Sequence, residues 1–158
     1  MSTLLTSGKD FEPSESDLVA ALHYLDVEER LLLGGFVKGR EFSPEETLMQ
    51  EGERADCMAF VVSGKLSVKK LTNFPGKHVL VAILESGSMV GELSVLEKGD
   101  RAATVDVLES CRLLVLSSED FNRLLDEQPK LGIKIFRRIL HVVSIRVKKA
   151  DDRLTRLL

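Results

Sequence analysis

The spacing of apolar positions divides the chain into three. Up to about Gly35 they recur at helical intervals, in "SESDLVAALHYL" and "DVEERLLLGG". Each run opens on a residue able to accept a bond from a free backbone N–H, with an acid three positions on. The pairs are Ser14 with Asp17 and Asp26 with Glu29. Gly34 and Gly35 stop the second run. From about Phe36 to Leu116 the period falls to two. The segments "TLMQ", "CMAFVV", "KLSVKKL", "HVLVAIL", "ATVDVL" and "CRLLVL" are separated by the turn-forming pieces "EGE", "SG", "NFPGK" and "ESGS". In "KLSVKKL", Leu66 and Val68 share one face and lysines take the other. Such spacing predicts about eight strands in an all-β roll or jelly roll.

Helix returns at "SSEDFNRLL", which opens on Ser117 with Asp120; Pro129 then breaks it and starts another. From Lys130 to Leu158 there is no proline, and the only glycine is Gly132. Phe136, Ile139, Val143, Ala150, Leu154 and Leu157 fall near a three-four seam, with Arg146 or Val147 at its gap. Such a helix either packs on its own domain or meets a second copy at its far end. The expectation is a homodimer through it, although Arg146, Lys148, Lys149, Asp151 and Asp152 interrupt the seam. The expected fold is mainly β with flanking helices, one domain over 1–158. Helices fill 1–35, an eight-stranded β-roll 36–116 and helices 117–158.

Composition narrows the function. A formal net charge of -3 argues against a general nucleic-acid binder, which needs a basic face. The N-terminus lacks a charged start followed by an apolar core, and no apolar run approaches the roughly 18–20 residues of a membrane span. A cytoplasmic location without membrane attachment is expected. Cys57 and Cys111 lie far apart, with no CxxC spacing, and are expected to be separate buried thiols. His23, His78 and His141 are scattered, so no metal, haem or iron–sulfur site is expected. No nucleophile–base pairing stands out, so no enzymatic activity is expected.

One stretch carries chemistry: "GELSVLEKGDRAAT", Gly91 to Thr104. It reads as a strand end, one helical turn ended by Gly99, and the start of the next strand. The start of a helix has free N–H groups and a favourable dipole for an anion such as phosphate. Gly91 removes the side chain that would block close approach. Arg101 offers a planar two-point clamp for phosphate oxygens, and Ala102 and Ala103 let the backbone come near. A carboxylate at Glu92 would repel a bare phosphate, but it can accept from a hydroxyl carried by the same ligand. A ribose 2'-OH beside a cyclic phosphate is such a combination.

These residues resemble the phosphate-binding cassette of the cyclic nucleotide-binding domain family, a Gly-Glu-Leu followed by Arg, a small residue and Ala. The spacing of Glu92 and Arg101 is similar to that in regulatory subunits of cyclic AMP-dependent protein kinase. Upstream, "LMQEGERADCMAFVVSGKLSV" resembles the family's glycine-marked strands, with Gly52 and Gly64 at turns. The resemblance is strong over about 36–125 and weaker through the last helix, in the manner of bacterial catabolite activators.

It implies that Glu92 accepts the ribose 2'-OH and Arg101 binds the cyclic phosphate. Backbone N–H groups of Gly91, Leu93, Ser94 and Ala103 would complete the cradle, and Val81, Ala82, Met89 and Val90 an apolar wall. Ala102 has no hydroxyl for guanine, which tilts the expected ligand to cyclic AMP over cyclic GMP. Ser144, Arg146 and Lys148 lie where activators of this family read adenine, but no matching pair aligns. The chain reaches Leu158 without a helix-turn-helix, so no DNA partner is expected. The implied function is a non-enzymatic sensor whose C-terminal helix moves on binding and is read by a dimer or an unidentified protein partner. A structural or dimerisation module without ligand is the alternative. A small hydrolase or isomerase acting on a phosphorylated sugar is a third reading, with Glu92 its only available base.

Overall fold

Local capping chemistry starts the first two helices in the computed structural model, which describes residue 4 and residues 7–158, with the backbone alone at 94 and 95. Part of the N-terminal segment read above as lacking a leader (1–3, 5 and 6) lies outside the described residues. Helix α1 (Glu15–Ala21) begins where Asp17 N–H donates to Ser14 Oγ at 3.2 Å and Ser14 N–H donates to Asp17 Oδ2 at 2.9 Å. Helix α2 (Val27–Gly34) repeats the reciprocal pair with Asp26 and Glu29, at 2.8 and 2.9 Å. Each pair satisfies N–H groups that the helix itself cannot.

The N-terminal section is not all helical, as the sequence had suggested. Strand β1 (Lys9–Phe11) precedes α1 and pairs antiparallel with β2 (Lys38–Phe42). Three residues are too few to show a period, so pairing rather than pattern makes this strand.

Among the described residues seven strands form the sheet, rather than the eight expected. After β2 come β3 (Thr47–Met49), β4 (Cys57–Leu71), β5 (His78–Leu84), β6 (Met89–Val90) and β7 (Thr104–Ser117). The order is β1-β2-β7-β4-β5, with β3 on β7 and β6 on β4, every pair antiparallel. Two differences make the count: β1 was not expected, and two pairs of expected strands are fused. The "SG" between "CMAFVV" and "KLSVKKL", and the gap between "ATVDVL" and "CRLLVL", do not end strands. β4 runs through Gly64, at φ 94, with register shifts against β7 from Val61 to Leu66. Such bulges bend and twist a strand without ending it. Two long strands therefore do the work of four and wrap round one core, which includes Phe42, Leu48, Ala59, Leu66, Val107 and Leu113.

The first half of β4 is buried on both faces: Cys57, Ala59 and Val61 join that core, while Met58 and Phe60 are buried on the other face. α1 packs against this strand. A charged node on β7 reaches the same helix. Arg112 Nη1–H donates to Asp17 Oδ1 at 2.5 Å and Nε–H to Glu41 Oε1 at 3.1 Å, with the guanidinium 4.0 Å over the Phe11 ring. Burial pushes the Asp17 carboxyl up, but the bonds from Ser14 and Arg112 outweigh it and leave its pKa below the usual carboxylate value.

A depressed folded-state pKa stabilises above the unfolded value and is lost as pH falls through the folded one. Asp17→Asn is thus expected to lower stability at pH 7 by about 1–2 kcal/mol, allowing for screening at half-exposed Arg112. The gap to wild type should narrow below about pH 4. Urea unfolding at both pH values checks this; a pH-independent gap would remove the node's electrostatic role.

The chain forms two compact units, 1–121 with the sheet and 122–158. Asp120 N–H donates to Ser117 Oγ at 3.1 Å at the start of α4 (Ser118–Glu127), as the sequence suggested. Helix α5 (Pro129–Leu157) has its proline in the first turn. A Cβ on Gly132 would lie 2.5 Å from Leu125 Cδ2, so the glycine lets α4 and α5 meet closely. Leu131, Ile135 and Ile139 form the buried stripe of α5. Of the predicted seam, Ile139 is buried and Phe136 and Val143 are half-buried, while Ala150, Leu154 and Leu157 are exposed. Among the described residues no helix is long and apolar enough to cross a membrane.

Candidate ligand-binding site

Gly91 closes β6 with φ 77, a left-handed conformation, and is the N-cap of α3 (Glu92–Leu96). A Cβ there would lie 2.6 Å from Arg101 Nη1, 2.8 Å from Met49 Cε and 3.1 Å from the Cys57 carbonyl oxygen. Both backbone conformation and close approach therefore require glycine. The helix is barely longer than a turn, so the N–H groups at its start have no partners within it.

The returning chain is held by the turn before β4. Arg101 N–H donates to the Glu53 carbonyl at 2.7 Å, and Gly52 N–H to the Arg101 carbonyl at 2.9 Å. Ala55 N–H donates to the Gly99 carbonyl at 3.1 Å, and Glu51 N–H to Thr104 Oγ1 at 3.0 Å. Arg101 thus projects from a backbone fixed on both sides.

Two charged side chains are buried here: Glu92 is 2% exposed and Arg101 3%. Arginine and glutamate are rarely so buried unless paired. Arg101 Nη2–H donates to Cys57 Sγ at 3.5 Å. Its Nε and Nη1 are also buried and find no hydrogen-bond partner among the described residues. A buried donor left unmade costs about 1–3 kcal/mol. An anion at the guanidinium would supply such a donor with a partner, and the missing side chain of Gly91 is what lets Nη1 lie against the backbone there.

The other predicted residues divide. Leu93 is 46% exposed on α3. Ser94 lies in the same helix, its side chain outside the described residues. Ala102 is exposed and Ala103 half-buried. On β5, Val68 pairs with Ala82 and Lys69 with Leu80, which leaves Val81 as the extra residue of a bulge. Ala82 packs against the core of the roll, and Val90 belongs to that core. Met89 is buried on the opposite face of β6, across from Phe60, so it does not share a wall with Val90. Reasoning from the sequence missed Cys57, Met49 and the whole clamping turn. Alternation in "CMAFVV" could have put Cys57 on the core face, but nothing local signalled its contact with Arg101. Among the described residues no three His, Cys, Asp or Glu gather as a metal site.

The family model of the cyclic nucleotide-binding domain matches residues 39–128. The chain is 24% identical over 113 residues to the cAMP-activated global transcriptional regulator CRP of Salmonella typhimurium, an overlap covering 71% of this chain and 53% of that protein. It therefore spans about half the length of that relative. A cyclic nucleotide-binding domain from Methylobacillus flagellatus superposes with a TM-score of 0.85 at 22% identity, covering 97% of this chain and 93% of the other; at that identity the likeness concerns the fold. The Thermus thermophilus catabolite activator protein superposes with a TM-score of 0.73 at 27% identity, covering 89% of this chain and 62% of that one.

Proposed function

Because this chain belongs to the cyclic nucleotide-binding domain family, we propose that it is a non-catalytic sensor of a cyclic nucleotide, with cyclic AMP preferred to cyclic GMP. One observation carries the reading: buried Arg101, with two nitrogens that find no partner among the described residues, packed against a glycine whose missing side chain admits the guanidinium. The cyclic phosphate meets the guanidinium of Arg101 and the N–H groups at the start of α3. Glu92, ionised and acceptor-only, takes the ribose 2'-OH. Ala82 and Val90 supply apolar surface, and Ala102 gives guanine no hydroxyl to bond.

Binding shifts an equilibrium only through different affinity for its two states. The reading assigns the moving part to α5, whose exposed Leu140, Ile145, Val147, Leu154 and Leu157 offer apolar surface to a second copy or a partner protein. A scaffold without ligand would leave two buried nitrogens of Arg101 with no partner among the described residues, which disfavours that alternative.

Calorimetry tests the reading. Cyclic AMP is expected to bind, and its 2'-deoxy analogue about 10-fold more weakly or worse, as the loss of a charge-assisted hydrogen bond implies. Cyclic AMP should be recovered unhydrolysed. No heat at millimolar ligand, or equal affinity for the two analogues, would contradict the assignment.

A further inference from the structure

We propose that Cys57 is a positioning residue for Arg101, its sulfur setting which edge of the guanidinium faces the anion. The inference rests on the reading that Arg101 receives one. Cys57 opens β4, opposite Ser117 of β7, and is 0% exposed. Its Sγ accepts from Nη2 at 3.5 Å, while Nε and Nη1 have no partner among the described residues. Its carbonyl oxygen lies 3.1 Å from the point a Gly91 Cβ would occupy, and Arg101 Nη1 lies 2.6 Å from the same point, so backbone and side chain of Cys57 both border the guanidinium's seat.

A guanidinium is planar and rigid. Its stem is fixed by a backbone clamped at Glu53 and Gly52. One further contact at Nη2 restricts rotation of the plane; the two-point edges of a guanidinium are Nε with Nη2 and Nη1 with Nη2, so a sulfur on one Nη2 hydrogen leaves the other edge to the anion.

Sulfur suits that task because it is a weak, neutral acceptor. A carboxylate in its place would neutralise the guanidinium and compete with a phosphate. An aliphatic side chain would fill the volume but leave the plane free to turn.

The test compares Cys57→Val, which keeps bulk and removes the acceptor, with Cys57→Ser, which keeps an acceptor and loses bulk. Calorimetry with cyclic AMP and thermal unfolding without ligand are measured on the full chain. The valine variant is expected to bind about 3- to 10-fold more weakly with a near-wild-type unfolding midpoint. The serine variant should bind within about 2-fold of wild type even where its buried hydroxyl lowers the midpoint. A purely packing role predicts the reverse order. Wild-type affinity in the valine variant, or equal losses in both, would overturn the proposal. Absence of binding by wild type, or an Arg101→Ala variant that binds as well as wild type, would instead overturn the anion site, and this inference with it.

Discussion

Arg101→Ala is expected to weaken cyclic AMP binding by about 10- to 100-fold or more. The side chain would supply charge-assisted hydrogen bonds worth about 1.5–3 kcal/mol each, and each 1.4 kcal/mol is about tenfold in affinity. The size of the loss follows from burial. At 3% exposed, Arg101 does not share its nitrogens with bulk water, so an anion meets a cation that solvent has not already satisfied. Without ligand, the same substitution should lower the unfolding midpoint little. It leaves a cavity, but it also removes a buried charge with two unpaired nitrogens. With ligand at about 100 times its dissociation constant, wild type should gain about 2.7 kcal/mol, and the variant far less. Calorimetry and thermal shift report the two halves separately. A variant that binds as well as wild type would show that Arg101 is not the anion's partner.

Gly64→Ala is expected to cost about 3 kcal/mol or more and to compromise folding. At φ 94 a side chain is strained, and a Cβ there would lie 2.4 Å from the Ser110 carbonyl oxygen, 2.6 Å from Cys111 Cα and 2.7 Å from Cys111 Cβ. These atoms belong to the neighbouring strand β7 and cannot rotate aside as a flexible side-chain tip would. Left-handed strain of about 1–2 kcal/mol adds to an overpacking cost of about 1–3 kcal/mol. Gly52→Ala is the control: its φ is 88, but nothing lies within 4 Å of its Cβ position. It should lose about 1–2 kcal/mol, the strain alone. Denaturant unfolding of the two variants decides; equal losses would show that the bulge tolerates a side chain.

What the sequence revealed depended on range. The capping pairs at Ser14, Asp26 and Ser117 were legible because donor and acceptor are three residues apart. The short helix after Gly91 was legible because a glycine closing an apolar run marks where the backbone turns. Gly64 was read as a turn because a positive φ leaves the same local mark in a hairpin and in a bulge. Only the partner strand distinguishes them. Met89 and Val90 were read as one wall, but their sides are decided by pairing with Phe60 and Ala59, thirty residues upstream. Cys57 reaches Arg101 across a separation of 44 residues, with nothing in either neighbourhood to announce it.

The paired bonds joining Arg101 to the turn at Gly52 and Glu53 have a consequence for how affinity can be tuned. The entropy of ordering that backbone is met during folding, so a ligand bound as proposed would find the arginine's root already in place. Under that proposal the outer turn would be a handle on affinity. Lengthening or softening the segment from Gln50 to Ala55 leaves the chemistry of the pocket intact and changes how firmly its cation is aimed. If the proposed site is right, a lineage or a designer could adjust the threshold of response there while Glu92 and Arg101 stay the same.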